Sequence, residues 1–278
     1  MNNPWNNRRP SARPPRATPL PRPEVPATGG GGRGGSEELR LYGLNAVLAA
    51  FEARPQALRK LYLLEARIPR LQPLLKWCVA NRVGYRVVED GDLNKLAGTT
   101  HHEGVVADVL RAAALPLAQW LEQVGDGPAL ALWLDGVGNP HNLGAILRSA
   151  AHFGAKALLL PAGSMLALSG AAARVAEGGA EAVPLVQLPE TAQAMTQLRA
   201  AGFGLAATLV EGGDDVFRTS LPARLVYVMG AEGEGMDRSL AGACDQQVSI
   251  PGSGAVESLN VASATAVLLA QWASRRGD

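Results

Sequence analysis

The chain has 278 residues, of which 47% are apolar and 18% are charged, so it can bury the core of one large domain or two ordinary ones. This composition excludes a wholly disordered, collagen-like or disulfide-stapled protein. Two cysteines far apart in the sequence, Cys78 and Cys244, argue against a disulfide framework and a Cys-rich metal site. Because the sequence has no long apolar run and its first residues do not resemble a secretory signal, we expect a cytoplasmic protein.

The net charge of +1 conceals an uneven distribution along the chain. Residues 1–35 carry six Arg and one Glu, whereas the remaining residues include 20 basic and 24 acidic side chains. Because residues 1–36 are also rich in Pro and Gly, we interpret them as a disordered arm that cannot bury enough apolar surface to fold alone. The arm either gathers RNA through its arginines or is dispensable, and the sequence leaves both readings open.

Alternating helix and strand patterns predict a small α/β unit over residues 37–110. The predicted helices cover 44–53, 68–82 and a short stretch at 92–98, and the predicted strands cover 58–65, 85–89 and 104–110. Residues 111–128 mix Ala, Pro and Gly, which is typical of a linker between domains.

From Ala129 onward, apolar strands alternate regularly with helices. The predicted strands are 130–135, 156–161, 182–188, 204–210, 225–230 and 247–251, and the predicted final helix is 258–276. Continuous apolar strands between helices indicate an α/β domain over 129–278, with a mostly parallel sheet covered on both faces. Ligands of such sheets bind at the carboxyl ends of the strands.

The first polar loop at a predicted strand end is DGVGNPHNLGAILRSAAHFG (135–154). Its Gly/Asn/Pro turn leads into a helix that Asn142 is placed to cap. Arg148 lies about 140° around this helix from Leu143, off the apolar stripe. It faces either solvent or a phosphate or hydroxyl of a ligand.

Two further loops follow predicted strands of the same sheet. MGAEGEGM (229–236) places three glycines around Glu232 and Glu234, which permits close approach of a ligand to the backbone or forms a simple turn. IPGSGAVESLNVASA (250–264) leads into the final helix, with Ser258 and Asn260 in the predicted first turn and Ser258 a good N-cap. Together the three loops outline one polar cleft.

Residue patterns for several other chemistries are missing. The sequence has no G-x-x-x-x-G-K-[ST] loop and no G-x-S-x-G elbow, and the adjacent His101 and His102 have no metal-ligand partner at helical spacing. A nicotinamide enzyme would need a glycine fingerprint after the first strand, with an acidic residue about 20 positions later, and neither is in place. Metal catalysis, covalent catalysis and nicotinamide chemistry are therefore disfavoured.

The segments NLGAILRSA, VMGAEGEGM and IPGSGAVESLNVASA, in this order, resemble the three signature motifs of the SpoU/TrmH group of SPOUT methyltransferases. The resemblance implies methyl transfer from S-adenosylmethionine to a ribose 2′-hydroxyl of RNA, on an α/β fold with a deep trefoil knot. YGLNAV (42–47) and HEGVVADV (102–109) resemble the RNA-binding substrate domain of the RlmB-like branch, which is similar to a ribosomal protein. RVAEGGAE (174–181) instead resembles the YfiF-like branch.

The resemblance also implies which residues act. The positions matching the family's cofactor contacts are Gly230, Ile250 and Leu259, and those matching its catalytic positions are Asn142, Arg148, Glu232, Ser258 and Asn260. No metal is required.

Chemistry refines the roles that the resemblance implies. Because an arginine side chain is a very weak acid, we expect Arg148 to bind the phosphate and hydroxyl and to stabilise the developing alkoxide. Asn142 would fix Arg148 and its loop, Glu232 would order its motif, and Ser258 with Asn260 would line the pocket.

The resemblance implies a structured RNA substrate, with a guanosine of ribosomal RNA first and transfer RNA second. A non-catalytic RNA-binding or ribosome-assembly factor is the alternative, although a binding module has no need of all five catalytic positions. The family is dimeric, so we expect a homodimer. We predict that the apolar stripe of the final helix, Val261, Leu268, Leu269 and Trp272, supplies the contact.

Overall fold

The computed structural model describes residues 38–231 and 235–275, which build two β-sheets. The smaller sheet and its helices, residues 38–110, form what we call the small unit. The larger sheet and its helices, residues 115–275, form the large unit. The predicted arm, residues 1–36, lies outside the described residues.

Helices alternate with strands throughout the small unit. Its elements are β1 (Glu38–Tyr42), α1 (Leu44–Ala53), β2 (Leu58–Leu63), α2 (Ile68–Ala80), β3 (Gly84–Val87), α3 (Asp90–Ala97) and β4 (Val105–Leu110). The strand order is β1-β4-β2-β3, with β4 antiparallel to β1 and β2, and β3 parallel to β2. The sequence pattern did not predict β1, because its alternation covers only five residues and its pairing partner lies far along the chain.

The large unit is an eight-stranded sheet with helices between the strands. Its elements are β5 (Leu115–Pro116), α4 (Leu117–Gln123), β6 (Ala129–Leu134), α5 (Pro140–Phe153), β7 (Ala157–Leu160), α6 (Gly170–Ala176), α7 (Gly179–Ala182), β8 (Leu185–Gln187), α8 (Thr191–Ala200), β9 (Gly204–Leu209), β10 (Asp214–Asp215), β11 (Arg224–Met229), α9 (Arg238–Ala243), β12 (Gln246–Ser249) and α10 (Val261–Ser274). The order is β10-β12-β9-β11-β6-β7-β8-β5, and every neighbouring pair is parallel. The predicted parallel α/β sheet is confirmed.

Strand β6 shows why this sheet is apolar on both faces. All six of its residues are buried. Leu130, Leu132 and Leu134 enter the core under α5 and α10, whereas Ala129, Ala131 and Trp133 enter the core under α4 and α8. Because helices cover both faces, a continuous apolar run replaces the alternating pattern of a half-exposed strand.

The segment predicted as a linker is part of the large unit. Leu115 and Pro116 pair in parallel with β8 as the edge strand of the sheet. Leu117 and Trp120 of α4 are buried in the same core as Trp133. The linker prediction for 111–128 is therefore wrong over residues 115–123, because burial of two large apolar side chains outweighs the Pro and Gly content. The outer domain boundaries stay predictions.

The apolar stripe of the final helix is directed into the protein's own core. Val261, Leu268, Leu269 and Trp272 are all buried in the cluster that includes α5. The prediction that they supply a dimer contact is wrong, since their apolar surface is already covered within the chain.

Two helices begin at residues other than those predicted. The N-cap of α5 is Asn139, whose side chain accepts a hydrogen bond from the His141 amide, and Asn142 lies inside the helix. The N-cap of α10 is Asn260, and Ser258 precedes the helix on an exposed loop. Ser258 is therefore neither a cap nor a helical residue.

Side-chain contacts join the two units, and their described residues belong to one compact body. Arg54, the residue that follows α1, donates two hydrogen bonds to the carboxylate of Glu181 in α7, at 2.7 and 2.8 Å. Arg174 of α6 lies 3.1 Å from a carboxylate oxygen of Glu103. The knot that the resemblance implies stays a prediction. No helix among the described residues is long and apolar enough to cross a membrane.

Candidate active site

Four neighbouring strands of the large sheet end at the same edge. In their pairing, Leu134 of β6 lies opposite Met229 of β11, Met229 lies opposite Thr208 of β9, and Leu209 lies opposite Ser249 of β12. Each of the three polar loops singled out in the sequence follows one of these strands. The sheet therefore brings all three to one edge, where ligands of parallel α/β sheets bind.

The first and second loops are in direct contact. Gly136 has a φ of +74°, and a Cβ atom on it would lie 2.9 Å from the Cβ of Ala231. The Asp135 amide donates to the Met229 carbonyl at 2.8 Å. A side chain at Gly230 would lie 2.6 Å from the backbone nitrogen of Met236. Glycine is therefore required at Gly136 for the two loops to approach each other, and at Gly230 for the second loop to fold back on itself.

Residues Ala231 and Gly235 close the second loop by exchanging two backbone hydrogen bonds, at 3.0 and 3.1 Å. The predicted catalytic residue Glu232 lies between them and outside the described residues, so its role stays a prediction.

The first and third loops are joined by a pair of amide side chains. The Nδ2 of Asn260 donates to the Oδ1 of Asn142 at 3.2 Å, and Asn142 is buried. The Oδ1 of Asn260 accepts from the Ala262 amide at 2.9 Å and so caps α10. One side chain thus fixes the start of α10 to the helix that carries the first motif.

Arg148 occupies the outer side of α5, as its helical position predicts. Leu143, Ile146, Leu147 and Ala150 are buried, whereas 61% of the Arg148 side chain is exposed. Its Nη1 lies 3.7 Å from an oxygen of Glu177. We expected Asn142 to hold Arg148 in place. Instead, the Asn142 side chain is hydrogen-bonded to Asn260, and the Arg148 guanidinium faces Glu177.

The remaining predicted residues lie on or beside the third loop. Ile250 packs against the core, whereas Ser258 and Leu259 are exposed. Residues 251–260 are all exposed, so the backbone groups of this loop are accessible to a ligand.

Two carboxylates near the first two loops differ in their ease of ionisation. Burial raises the pKa of Asp135, and the negative charge of Asp237 raises it further. Asp237 caps α9, and hydrogen bonds from the Ser239 side chain and from the amides of Leu240 and Ser239 hold its pKa below the usual range. Asp237 is therefore the more readily ionised of the two.

A cavity of about 330 Å³ adjoins the first loop. It is lined by residues 135–138 and by residues 161–166, which follow β7. Its volume lies in the range of small-molecule sites. Within the described part of the chain, no group of three or more His, Cys, Asp or Glu side chains is arranged to hold a metal ion.

Sequence patterns missed two residues of this region. Asn139 is the cap of α5, and the signal that identifies it is Pro140, since proline is favoured at the first position of a helix. Glu177 has no sequence signal toward Arg148, because only the packing of α6 against α5 brings the two together.

Solved structures share this fold over most of the chain. An AdoMet-bound rRNA methyltransferase from Sinorhizobium meliloti has a TM-score of 0.73 at 24% identity, over 87% of this chain and 88% of that one. The SpoU methyltransferase AviRb from Streptomyces viridochromogenes, in complex with AdoMet, has a TM-score of 0.72 at 26% identity, over 87% of this chain and 91% of that one. The fold is that of a SpoU-type methyltransferase.

Sequence comparison defines the family. The model of the SpoU rRNA Methylase family matches residues 129–270, and the model described as RNA 2′-O ribose methyltransferase substrate binding matches residues 40–113. The chain belongs to the SpoU rRNA methylase family. It is 40% identical over 237 residues to the uncharacterized tRNA/rRNA methyltransferase YfiF of Escherichia coli O157:H7, covering 85% of this chain and 68% of that protein. It is 38% identical over 247 residues to the 23S rRNA (guanosine-2′-O-)-methyltransferase RlmB of Ralstonia nicotianae, covering 87% and 97%.

Proposed function

We propose that this chain transfers a methyl group from S-adenosylmethionine to a ribose 2′-hydroxyl of structured RNA, with a guanosine of ribosomal RNA as its substrate. The family membership and the relative RlmB, named for this reaction on 23S rRNA, support the proposal. The observation that carries it is the joining of the three motif loops at one sheet edge by the Gly136–Ala231 contact and the Asn142–Asn260 hydrogen bond. A ribosomal RNA substrate supports a cytoplasmic location.

The residues present fit S-adenosylmethionine at the loops after β11 and β12. Gly230 lets the second loop fold tightly beside the end of β11, Ile250 and Leu259 offer apolar surface, and the third loop exposes its backbone groups. We assign the cofactor to these three residues, which would hold it chiefly through backbone groups. When bound, the cofactor supplies an electrophilic sulfonium methyl group.

The chain's own task is to align the ribose oxygen and to stabilise the charge that develops on it. Arg148 is exposed and carries a fixed positive charge, so it is suited to bind a substrate phosphate and the reacting hydroxyl. The Asn142–Asn260 pair keeps the helix that bears Arg148 in register with the third loop. Glu232 and Ser258 complete the proposed catalytic set.

The proposal is tested by incubating the protein with labelled S-adenosylmethionine and total RNA from cells that lack its gene, then mapping methylated riboses by mass spectrometry. We expect one 2′-O-methylguanosine in ribosomal RNA. Methylation of a transfer RNA would support the proposed reaction but overturn the proposed ribosomal RNA substrate. Cofactor binding without methylation would favour a non-catalytic RNA-binding or assembly factor, and an absence of cofactor binding would overturn the proposal.

Replacement of Arg148 tests the assignment of this residue to the substrate. Arg148→Ala should lower methyl transfer at least about 100-fold, as for loss of one charge-stabilising donor, while cofactor affinity stays within a few-fold. The matched control is Arg218→Ala, which removes an exposed arginine that pairs with Asp215 three residues before it. If Arg148→Ala abolishes cofactor binding, the assignment is wrong.

We propose that the protein is a homodimer whose interface adjoins this sheet edge. Among the described residues, five large apolar side chains on the loops at the carboxyl ends of the strands of the large sheet are exposed: Met165 by 95%, Val210 by 57%, Phe217 by 51%, Val256 by 71% and Leu259 by 48%. Exposed apolar side chains on neighbouring loops are typical of association surfaces. Sedimentation should give a mass about twice 29.0 kDa, and Val256→Glu should shift it toward one chain. A single-chain mass for the unaltered protein at micromolar concentration would contradict the dimer.

A further inference from the structure

The turn between α6 and α7 is wedged between the two units. On one side, a Cβ atom at Gly179 would lie 2.6 Å from the Leu147 carbonyl oxygen and 3.1 Å from the Arg148 Cα of α5. On the other side, a Cβ atom at Gly178 would lie 3.1 Å from the Ala49 Cβ of α1. The residue before these glycines, Glu177, is therefore held between the small unit and the helix that carries Arg148.

Glu177 adopts a backbone conformation that disfavours its side chain. Its φ is +52° and its ψ is +39°, the left-handed region in which glycine and asparagine are preferred. A non-glycine residue in this region costs of order 1 kcal/mol or more, and such positions cluster at functional sites. Such a conformation persists only where the surrounding structure holds it, so the contacts of the Glu177 carboxylate are candidates for a functional role.

One carboxylate oxygen of Glu177 contacts the small unit, and the other contacts Arg148 within the large unit. Oε2 accepts a hydrogen bond from the Asn45 Nδ2 of α1 at 2.7 Å. Oε1 lies 3.7 Å from the Arg148 Nη1. The first contact is a short charge-assisted hydrogen bond that fixes the carboxylate to the small unit. The second is a longer and exposed ion pair, which restrains the guanidinium yet yields readily to a phosphate.

We infer that Glu177 is a positioning residue that ties the orientation of Arg148 to the small unit through Asn45. The inference rests on the proposed function, since it concerns the residue assigned to the RNA phosphate and hydroxyl. The Glu177 carboxylate limits the side-chain conformations available to Arg148, and its hydrogen bond to Asn45 keeps the carboxylate in place. When the small unit binds RNA, its contact with Glu177 orients the Arg148 side chain toward the same RNA molecule.

The isosteric variant Glu177→Gln isolates the ion pair. A glutamine oxygen still accepts from Asn45, but the charge that faces Arg148 is gone. We expect kcat for methyl transfer to fall about three- to fivefold, the range set by loss of an exposed ion pair. We expect the KM for RNA to stay unchanged or to fall, because a negative charge beside the phosphate site is removed. Failed folding would instead lower the amount of active protein without this split between kcat and KM.

The matched control is Glu103→Gln. Glu103 is also a glutamate with positive φ, at +53°, and it also bridges the units by contacting Arg174 and the Leu44 amide. It has no contact with Arg148. This variant weakens the joint between the units to a similar degree and should leave kcat within twofold.

Asn45→Ala and the double variant Asn45→Ala/Glu177→Gln complete a thermodynamic cycle. Asn45→Ala should lower kcat by a smaller factor than Glu177→Gln, and the double variant should be no slower than Glu177→Gln alone, because both act through one carboxylate. Glu177→Gly relieves the backbone strain, so it should keep the melting temperature close to that of the unaltered protein while lowering kcat.

These measurements separate the inference from the proposed function. If the unaltered protein methylates no RNA, the proposed function fails. If the unaltered protein is active and Glu177→Gln keeps its kcat, or Glu103→Gln lowers kcat equally, the positioning role of Glu177 is overturned. If the two single variants lower kcat by factors that multiply in the double variant, Asn45 and Glu177 act independently, and the proposed role of Asn45 is overturned.

Discussion

Asn260 uses both ends of its amide group, and the two contacts have different consequences. Its oxygen caps α10 and its nitrogen binds Asn142. The family resemblance implied both asparagines as catalytic residues. The helical pattern assigned Asn142 to a cap, and neither indicated that the two side chains meet. A residue 118 positions away can be identified as a partner only after the sheet has brought the loops together.

Two substitutions at Asn260 separate these contacts. Asn260→Ser keeps a good N-cap but is too short to reach Asn142, so methyl transfer should fall about tenfold while the melting temperature stays within roughly 2 °C. Asn260→Ala also loses the cap, which costs about 1 kcal/mol and should lower the melting temperature by a further 2–4 °C or so. Kinetics and thermal unfolding of both variants check this. Full activity of Asn260→Ser would show that the amide pair is not needed.

Helices α5 and α6 approach each other closely because glycine stands at their contact. A Cβ atom on Gly144 of α5 would lie 2.5 Å from the Ala172 carbonyl oxygen and 2.8 Å from the Val175 Cβ of α6. This close packing fixes the position of the turn after α6 relative to α5, and so places Glu177 beside Arg148. The helical periodicity of the sequence predicted α5 well. No local pattern shows that α6 is the helix whose close approach requires Gly144.

Gly144→Ala tests this packing. The added methyl group overpacks the contact, and we expect a loss of about 1–3 kcal/mol in the free energy of unfolding, or roughly 2–10 °C in melting temperature. The control is Gly242→Ala in α9, where an added Cβ has nothing within 4 Å, and helix propensity should stabilise the protein by about 0.5–1 kcal/mol. Equal melting temperatures for Gly144→Ala and the unaltered protein would show that the helices separate without cost.

Charge is divided unequally over the whole molecule. Residues 1–35 carry six Arg and one Glu, whereas residues 129–278, which contain the proposed catalytic set, have 9 basic and 13 acidic side chains. An acidic catalytic region attracts RNA poorly, so long-range attraction falls to the arm and to the small unit.

Deletion of residues 1–35 tests the contribution of the arm. RNA affinity should weaken chiefly at low salt, and the slope of log affinity against log salt should become shallower by up to roughly four, because up to six arginines no longer displace counterions. Filter binding over a range of salt concentrations measures this slope, and methyl transfer at saturating RNA should persist. The same slope with and without the arm would show that it has no part in binding.

The sequence by itself determined the class of the fold and the three polar loops that meet at one sheet edge. Apolar runs alternating with helical periods predicted the parallel sheet, because burial on both faces leaves a local record in each strand. The three loops were predicted from their position at strand ends, and their resemblance to the family's motifs implied the chemistry that we propose for them.

Only the tertiary structure decided how those parts act on one another. Leu115–Pro116 became a strand, and the stripe of α10 turned into the core, because neighbours distant in sequence covered them. The bond from Asn142 to Asn260 and the approach of Glu177 to Arg148 likewise depend on packing between separate elements. Local patterns record what each segment buries, but the partner of a side chain is fixed by long-range contacts that no single segment encodes.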